Sequence, residues 1–570
     1  MVKRLISFLS TKVEGLHEAA YIIATFSFLS QILGLVRDRM LAGMFGAGQT
    51  LDIYYAAFRI PDFLFAAIAS LVSLFVLIPF LSEKMGDGTS AFAEALADKR
   101  ERAREFLSGV STAFVGFMCV VGGVMWFLIP ALSTYLYPGI TGEHHDTLVI
   151  LTRILLLSPI LLGISNIFAS VTQLAQRFYV YALSPIAYNL AIIFGVVVLY
   201  PRFGMKGLVW GVILGAVLHG AVQIPAVIRE KLMPRLSFTL PWAELKALVA
   251  VSVPRTVTLA LNQFALLILV GIASTMEEGS ITVFNLASNI NLAPLSIIGV
   301  SYSVAAFPTL ARLFSSGEKQ AFIDQMLAAI RHVVFWSFPA IALIIVLRAH
   351  IVRTLLGAGA FDWSDTRLTA AALALFIISL IAHSLMLLFV RGYYAAGRTV
   401  RPLLINAVSS GLIILLGYVL TETFATSETF RFFIETLFRV EDVAGVGILM
   451  LPLAYSIGMI VNALAFWFLF RKDFGGHLPS SLYDTVWHSF SASVIAGFVA
   501  YIMLYVLGPV FGLETVTGVF MQGLIAGVAG ILACILVLKM LKSNELREIT
   551  RTIRERNKPP TPVAPEPQEL

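Results

Sequence analysis

The chain has 570 residues, of which 58% are hydrophobic and 13% charged, with a formal net charge of +6. Soluble domains run at about 45–50% apolar and about 25% charged, so a soluble globular protein is excluded, and recurring apolar runs of 18 or more residues predict an all-α polytopic membrane protein. A membrane β-barrel is excluded because its strands would read as short alternating segments, and Cys119 and Cys534, both inside apolar runs, support neither a disulfide framework nor a thiolate metal site.

Residues 1–18 are not expected to be a cleavable leader. Val2, Leu5, Ile6, Leu9, Val13 and Leu16 recur at helical spacing, and no small-residue cleavage site follows. They read as an amphipathic helix on the membrane surface, with a frayed tail as the alternative. About fourteen spans follow, at 19–45, 52–81, 106–132, 148–175, 180–200, 207–228, 245–274, 280–313, 326–347, 368–390, 403–420, 446–470, 483–507 and 516–538. With the N-terminus in the cytoplasm, about 28 of the 40 Lys and Arg fall on cytoplasmic segments and about 7 outside, as the positive-inside rule requires. The tail after 540 begins basic and ends Pro-rich, and it is expected in the cytoplasm and disordered at its end.

A weak repeat runs through the chain. Pro185-x-x-x-Asn189 opens the fifth span and Pro402-x-x-x-Asn406 the eleventh, an offset of 217 residues; Pro79 and Pro308, near the ends of the second and eighth spans, are offset by 229. These offsets suit two six-helix lobes, at 19–228 and 229–470, facing the same way. Two further helices lie at 471–540 and a tail at 541–570. Paired bundles of this kind hold a substrate cavity at their interface.

The intramembrane charges carry the chemistry. Arg37, Asp38 and Arg39 interrupt the first span. An Arg at a helix centre costs about 2.5–3.5 kcal/mol on insertion scales, so such residues face a bundle interior or a wet cavity. Arg37 lies over Gly34 and Ser30 on a small, polar stripe. The second span adds Asp52, Arg59 and Asp62 around Pro61; the seventh adds Arg255 after Pro254; the eighth adds Asn285, Asn289 and Asn291. An Arg-rich, water-accessible cavity favours an anion, and guanidinium geometry suits phosphate. Structural Arg–Asp pairs or snorkelling side chains are the plainer alternative, above all for Arg39 and Arg153.

Several classes find no support. There is no GxxxxGK[ST] loop, no loop long enough for a catalytic domain, and no cofactor or nucleic-acid signature. His144 and His145 read as a solvated loop, and His219 and His383 as hydrogen-bonded residues within spans. The segment 427–438 has aromatics at helical spacing and is expected on the membrane surface.

The segment SQILGLVRDRMLAGMFGAGQTLDIYYAAFRIPD, together with LGAGAFDWSDTRLTAAAL, VRGYYAAGRTVRP and VFNLASNINLAP followed by AAFPTLARL, resembles the MurJ/MviN family of lipid II flippases, over about residues 19–540. The resemblance implies the fold of the MOP superfamily, two six-helix lobes forming a V around a central cavity. It also implies two C-terminal helices bordering a lipid-tail groove, and alternating access in the bacterial cytoplasmic membrane. It implies a role in peptidoglycan synthesis, with lipid II as partner and no catalysis. Ser30, Arg37, Asp38, Asp52 and Arg59 match family positions. Gln31, Phe65 and Asn289 stand where the family carries Arg, and Arg398 stands where it carries an acid, near a position linked to cation coupling. Arg255 is the expected substitute for one missing cation. A polyprenyl pyrophosphate head would cross the Arg-lined cleft while its tail stays in lipid, and the inside-negative membrane potential, or a coupling ion, would drive it outward. A flippase for another undecaprenyl-linked oligosaccharide, a cation-coupled exporter, and an inactive scaffold with a lipid-binding basic tail are the competing readings; an exporter of cations would favour acids in its cavity.

Overall fold

The computed structural model describes residues 16–72, 77, 78, 80, 81, 84, 93–237, 241–475, 480–512 and 515–556. The expected helix over 1–18 and the end of the tail lie almost wholly outside these residues, as does Pro79.

The described chain is helical throughout. In order the helices are α1 Leu16–Phe45, α2 Gln49–Ala67, α3 Ala93–Leu136, α4 Glu143–Leu155, α5 Leu157–Leu174, α6 Phe178–Phe194, α7 Met205–Ala221, α8 Trp242–Ala273, α9 Ser280–Leu295 and α10 Ser301–Ser315. They continue as α11 Lys319–Leu356, α12 Trp363–Ile378, α13 Leu380–Ala395, α14 Val400–Thr426, α15 Glu428–Phe438, α16 Met450–Phe474, α17 Ser480–Leu507, α18 Val516–Met540 and α19 Asn544–Arg556.

Among the described residues, eleven helices are long and apolar enough to cross a membrane, and the α12–α13 pair, bent by 44°, makes a twelfth. The expected count of fourteen is therefore not reached. The two expected spans outside this set are the first and second, the ones interrupted by charge: α1 carries Arg37, Asp38 and Arg39, and α2 carries Asp52, Arg59 and Asp62.

Two compact units form. The first is drawn from Met1–Ile290, Leu355–Leu375 and Thr399–Val461, the second from Asn291–Thr354, Phe376–Arg398 and Asn462–Leu570. In the first unit, Phe106, Leu107, Val110 and Phe114 of α3 bury against Ile167, Phe168 and Val171 of α5. Without a hydrophobic driving force in lipid, close backbone approach does much of the packing. Gly207, Gly211 and Gly215 recur every fourth residue along α7, and a Cβ on Gly211 would stand 2.6 Å from the Gly195 Cα. That face of α7 therefore lies backbone to backbone on the end of α6 and the π-helical turn Gly195–Leu199 that follows it.

In the second unit Phe389 of α13 stacks on Phe466 of α16 at 6.0 Å, and Phe322, Phe470 and Phe474 extend the aromatic cluster. Tyr393 closes it by donating to Asp473 at 3.1 Å. Arg398 reaches Asp473 at 3.8 Å and lies over the Phe474 ring at 4.9 Å. Arg398 is thus tied to an acid on α16. An apolar groove of about 370 Å³ in this unit is lined by Ala342, Ile345 and Val346 of α11 and by Gly497, Phe498 and Tyr501 of α17.

Candidate functional site

The intramembrane charges of the first unit are organised by three asparagines. Arg37 directs Nε and Nη2 to the same oxygen of Asp38, at 2.9 and 2.8 Å. Its Nη1 donates to Asn189 Oδ1 on α6 at 3.2 Å. Asn189 in turn donates to the hydroxyl of Ser30 at 3.1 Å. The stripe anticipated on α1 is therefore real: Ser30 and Arg37 both meet Asn189, and a Cβ on Gly34 between them would stand 3.9 Å from Asn189 Oδ1. The other oxygen of Asp38 accepts from Asn289 Nδ2 of α9 at 3.1 Å. Asp38 is 4% exposed, whereas the Arg37 side chain keeps 23% of its surface open.

Arg59 donates to Asn285 Oδ1, one turn before Asn289 on α9. Its Nε is buried and has no hydrogen-bond partner among the described residues, and the same holds for the Tyr55 hydroxyl one turn earlier on α2. An unsatisfied buried polar group costs about 1–3 kcal/mol. Two such groups on one face of one helix leave hydrogen-bonding capacity that an oxygen-rich group could take up.

Asp52 has a different setting. One oxygen accepts from the Gly279 amide at 2.7 Å; the other accepts from the Thr282 amide at 2.7 Å and the Thr282 hydroxyl at 2.6 Å. These donors belong to the first turn of α9 and the residue before it, so the 7% exposed carboxylate caps that helix from a distant part of the chain. Its bonds make it a structural anchor for α9.

Thr282, Asn285 and Asn289 stand at i, i+3 and i+7, hence on one face of α9. That face meets Asp52, Arg59 and Asp38 in turn. Six of the seven expected site residues are thus tied into the α1–α2–α6–α9 cluster: Ser30, Arg37, Asp38, Asp52, Arg59 and Asn289. The seventh, Arg255, lies on α8 with its side chain outside the described residues. Asn189 and Asn285 were not anticipated as partners of the charges. The Pro185-x-x-x-Asn189 repeat was the one signal for the first, and the turn before Asn289 for the second.

Other intramembrane polar residues follow the plainer alternative. Arg153 donates to the Trp126 carbonyl at 3.0 Å and lies over the Trp126 ring at 5.0 Å. Arg39 donates to the Gly357 carbonyl at 3.4 Å. His219 meets Ser165 at 2.6 Å, and Gln223 donates to the same hydroxyl at 2.9 Å.

The family model described as "Lipid II flippase MurJ" matches residues 41–526 of the chain. The chain belongs to the MurJ family. Among MurJ relatives, the lipid II flippase MurJ of Burkholderia cenocepacia is 26% identical over 391 residues, covering 67% of this chain and 73% of its own length. The probable lipid II flippase MurJ of Bdellovibrio bacteriovorus is 28% identical over 410 residues, covering 71% and 76%. A solved lipid II flippase MurJ in an inward closed conformation aligns with a TM-score of 0.70 at 22% identity, over 93% of this chain and all of that one. An inward-facing multidrug resistance MATE transporter of the MOP superfamily aligns at 0.61 and 14%, over 82% and 99%. The MurJ match begins just past Arg37 and Asp38 and takes in α2 and α9. The helical MOP fold expected from the sequence is the fold these structures share, and the protein is a multi-pass membrane protein.

Proposed function

We propose that the chain is a flippase that moves lipid II from the cytoplasmic to the outer leaflet of a bacterial inner membrane by alternating access. It acts as a transporter and catalyses no covalent step. The observation that carries this reading is the MurJ family match over residues 41–526. The geometry supports it independently. Arg37 keeps part of its guanidinium open while Asp38 and Asn189 fix its orientation, and Arg59 retains an N–H with no partner among the described residues. A pyrophosphate offers several acceptor oxygens, and charge-assisted bonds from guanidinium groups are about twice as strong as neutral ones.

In this reading the lobes are 19–228 and 229–470, and both termini are cytoplasmic. Ser30, Arg37, Asp38, Arg59, Asn289 and Arg255 line the path of the head, with Asp52 holding α9 in register. The lipid tail lies along the helices of 471–540, for which the apolar groove between α11 and α17 offers a bed. The membrane potential assists outward movement of an anion by about 2.3 kcal/mol per charge per 100 mV. A coupling ion is the other source of drive.

A second reading, a flippase for a different undecaprenyl pyrophosphate-linked oligosaccharide, draws on one observation. Gln31, Phe65 and Asn289 stand where the resemblance leads one to expect Arg, and here Asn289 is committed to Asp38. One experiment separates the two. A host is depleted of its own lipid II flippase, this chain is expressed, and lipid II exposed on the outer leaflet is measured. Restored exposure and growth support the first reading. No exposure from a chain that reaches the membrane overturns it.

A further inference from the structure

We propose that Asn189 is a positioning residue for the headgroup: it aims the Arg37 guanidinium without neutralising it. The inference rests on the flippase reading above and deepens it. Asn189 sits at the ninth-tenth level of burial, with 9% exposure, on α6 against α1. Its amide has only one orientation that satisfies its neighbours. Nδ2 faces the backbone carbonyls of Pro185 at 3.1 Å and Ser30 at 3.3 Å, both of which can only accept. Oδ1 is therefore turned toward Arg37, whose Nη1 can only donate.

The consequence is electrostatic. Asp38 already occupies the Nε–Nη2 edge of Arg37. A carboxylate at 189 would give Arg37 a second counter-charge and remove its attraction for an anion. An aliphatic residue would leave Nη1 unheld, and the guanidinium would be free to rotate about its long side chain. A neutral acceptor, pinned by three bonds of its own, fixes the fork and adds no second negative charge beside Arg37. The group it serves is a phosphate or pyrophosphate, because a planar, rigid fork gains most from paired acceptor oxygens.

The test measures binding of undecaprenyl pyrophosphate to the full-length, detergent-purified chain, with thermal unfolding followed in parallel. Four proteins are compared: unsubstituted, Asn189→Ala, Arg37→Ala and the double variant. A lost hydrogen bond to a charged group corresponds to roughly a tenfold or greater loss of affinity. Asn189→Ala is expected to weaken binding about tenfold in the Arg37 background and not further once Arg37 is alanine. Equal loss in both backgrounds means that Asn189 acts on packing and not through Arg37, which overturns the inference. Should Asn189→Ala not fold, the isosteric Asn189→Asp is expected to lose at least as much affinity, and retention of affinity by it overturns the inference too. Failure of the unsubstituted chain to bind removes the flippase reading along with this one. Binding that Arg37→Ala abolishes and Asn189→Ala leaves intact removes this one alone.

Discussion

The side-chain amide of Asn289 donates to Asp38 across 3.1 Å, joining α9 to α1 at the position where the family resemblance leads one to expect a cation. An amide stabilises the buried carboxylate without cancelling the adjacent Arg37. Replacing it by an apolar residue of similar size, Asn289→Leu, leaves one oxygen of a 4% exposed carboxylate short of a donor. The expected cost is about 1–3 kcal/mol, seen as a lower unfolding temperature of the purified protein. Asn289→Asp, which sets two carboxylates together out of water, is expected to be worse than Asn289→Leu. An unfolding temperature unaffected by either change would show that the contact contributes nothing.

Asp52 and Arg59 lie on the same helix, and their variants are expected to fail differently. Asp52→Ala removes the acceptor for the Gly279 and Thr282 amides and the Thr282 hydroxyl. Loss of a helix cap typically costs about 1 kcal/mol, and the burial of these donors raises that toward 2–3 kcal/mol. Stability and expression level are therefore expected to fall, with the substrate affinity of the surviving folded protein little changed. Arg59→Ala strands the Asn285 oxygen but also deletes an unsatisfied buried N–H, and it is expected to weaken affinity more than it lowers stability. Ligand titrations on melting-matched samples distinguish them.

The membrane class and the helical fold were legible because a run of 18 apolar residues has few other physical readings. The stripe of Ser30 and Arg37 was legible because helical spacing alone puts them on one face. The role of Asp52 was not: a carboxylate that caps α9 lies more than two hundred residues from the amides it accepts, and nothing local to Asp52 announces them. The roles of Asn189 and Asn285 were as hard to read, because an Asn in a span reads alike whether it meets a charge or a backbone carbonyl. Arg153 shows the reverse. The sequence favours a structural or snorkelling role for it over a cavity one, and its place beside Trp126 gives it a carbonyl and a ring face to bind.

Tyr55→Phe separates ligand binding from folding. Among the described residues the buried Tyr55 hydroxyl, one turn from Arg59, has no hydrogen-bond partner. Removing it deletes an unsatisfied group while leaving the ring packed against Tyr54 at 5.5 Å. The expected unfolding temperature is unchanged or slightly raised. If the hydroxyl is held in reserve for an oxygen of the headgroup, transport in a reconstituted flipping assay falls by about threefold to tenfold, the equivalent of one neutral hydrogen bond. Full transport by a stable Tyr55→Phe protein would assign the hydroxyl no part in binding.

The last helix supplies a pH dependence whose direction can be worked out. Leu546 and Ile549 of α19 pack against Phe335, Ala492, Ala496, Cys534 and Leu538. Glu545 beside them is 3% exposed. Burial acts to raise its pKa, but hydrogen bonds from Thr485, its own amide and Ser543, with the nearby charge of Arg331, outweigh burial and leave it below the ordinary carboxylate value. The Ser543 bond is 2.9 Å. A group whose value is depressed in the docked state stabilises that state above its free value and loses the contribution as the pH falls through the docked one. Hydrogen-exchange protection of the α19 amides, corrected for intrinsic rates, is therefore expected to hold near neutrality. It is expected to decline as acid is added, beginning near pH 4.5, the ordinary value for a glutamate. Glu545→Gln, with no charge to lose, is expected to show weaker protection at neutral pH and to flatten this acid-dependent decline. A decline of the same size in Glu545→Gln would assign it to some other carboxylate.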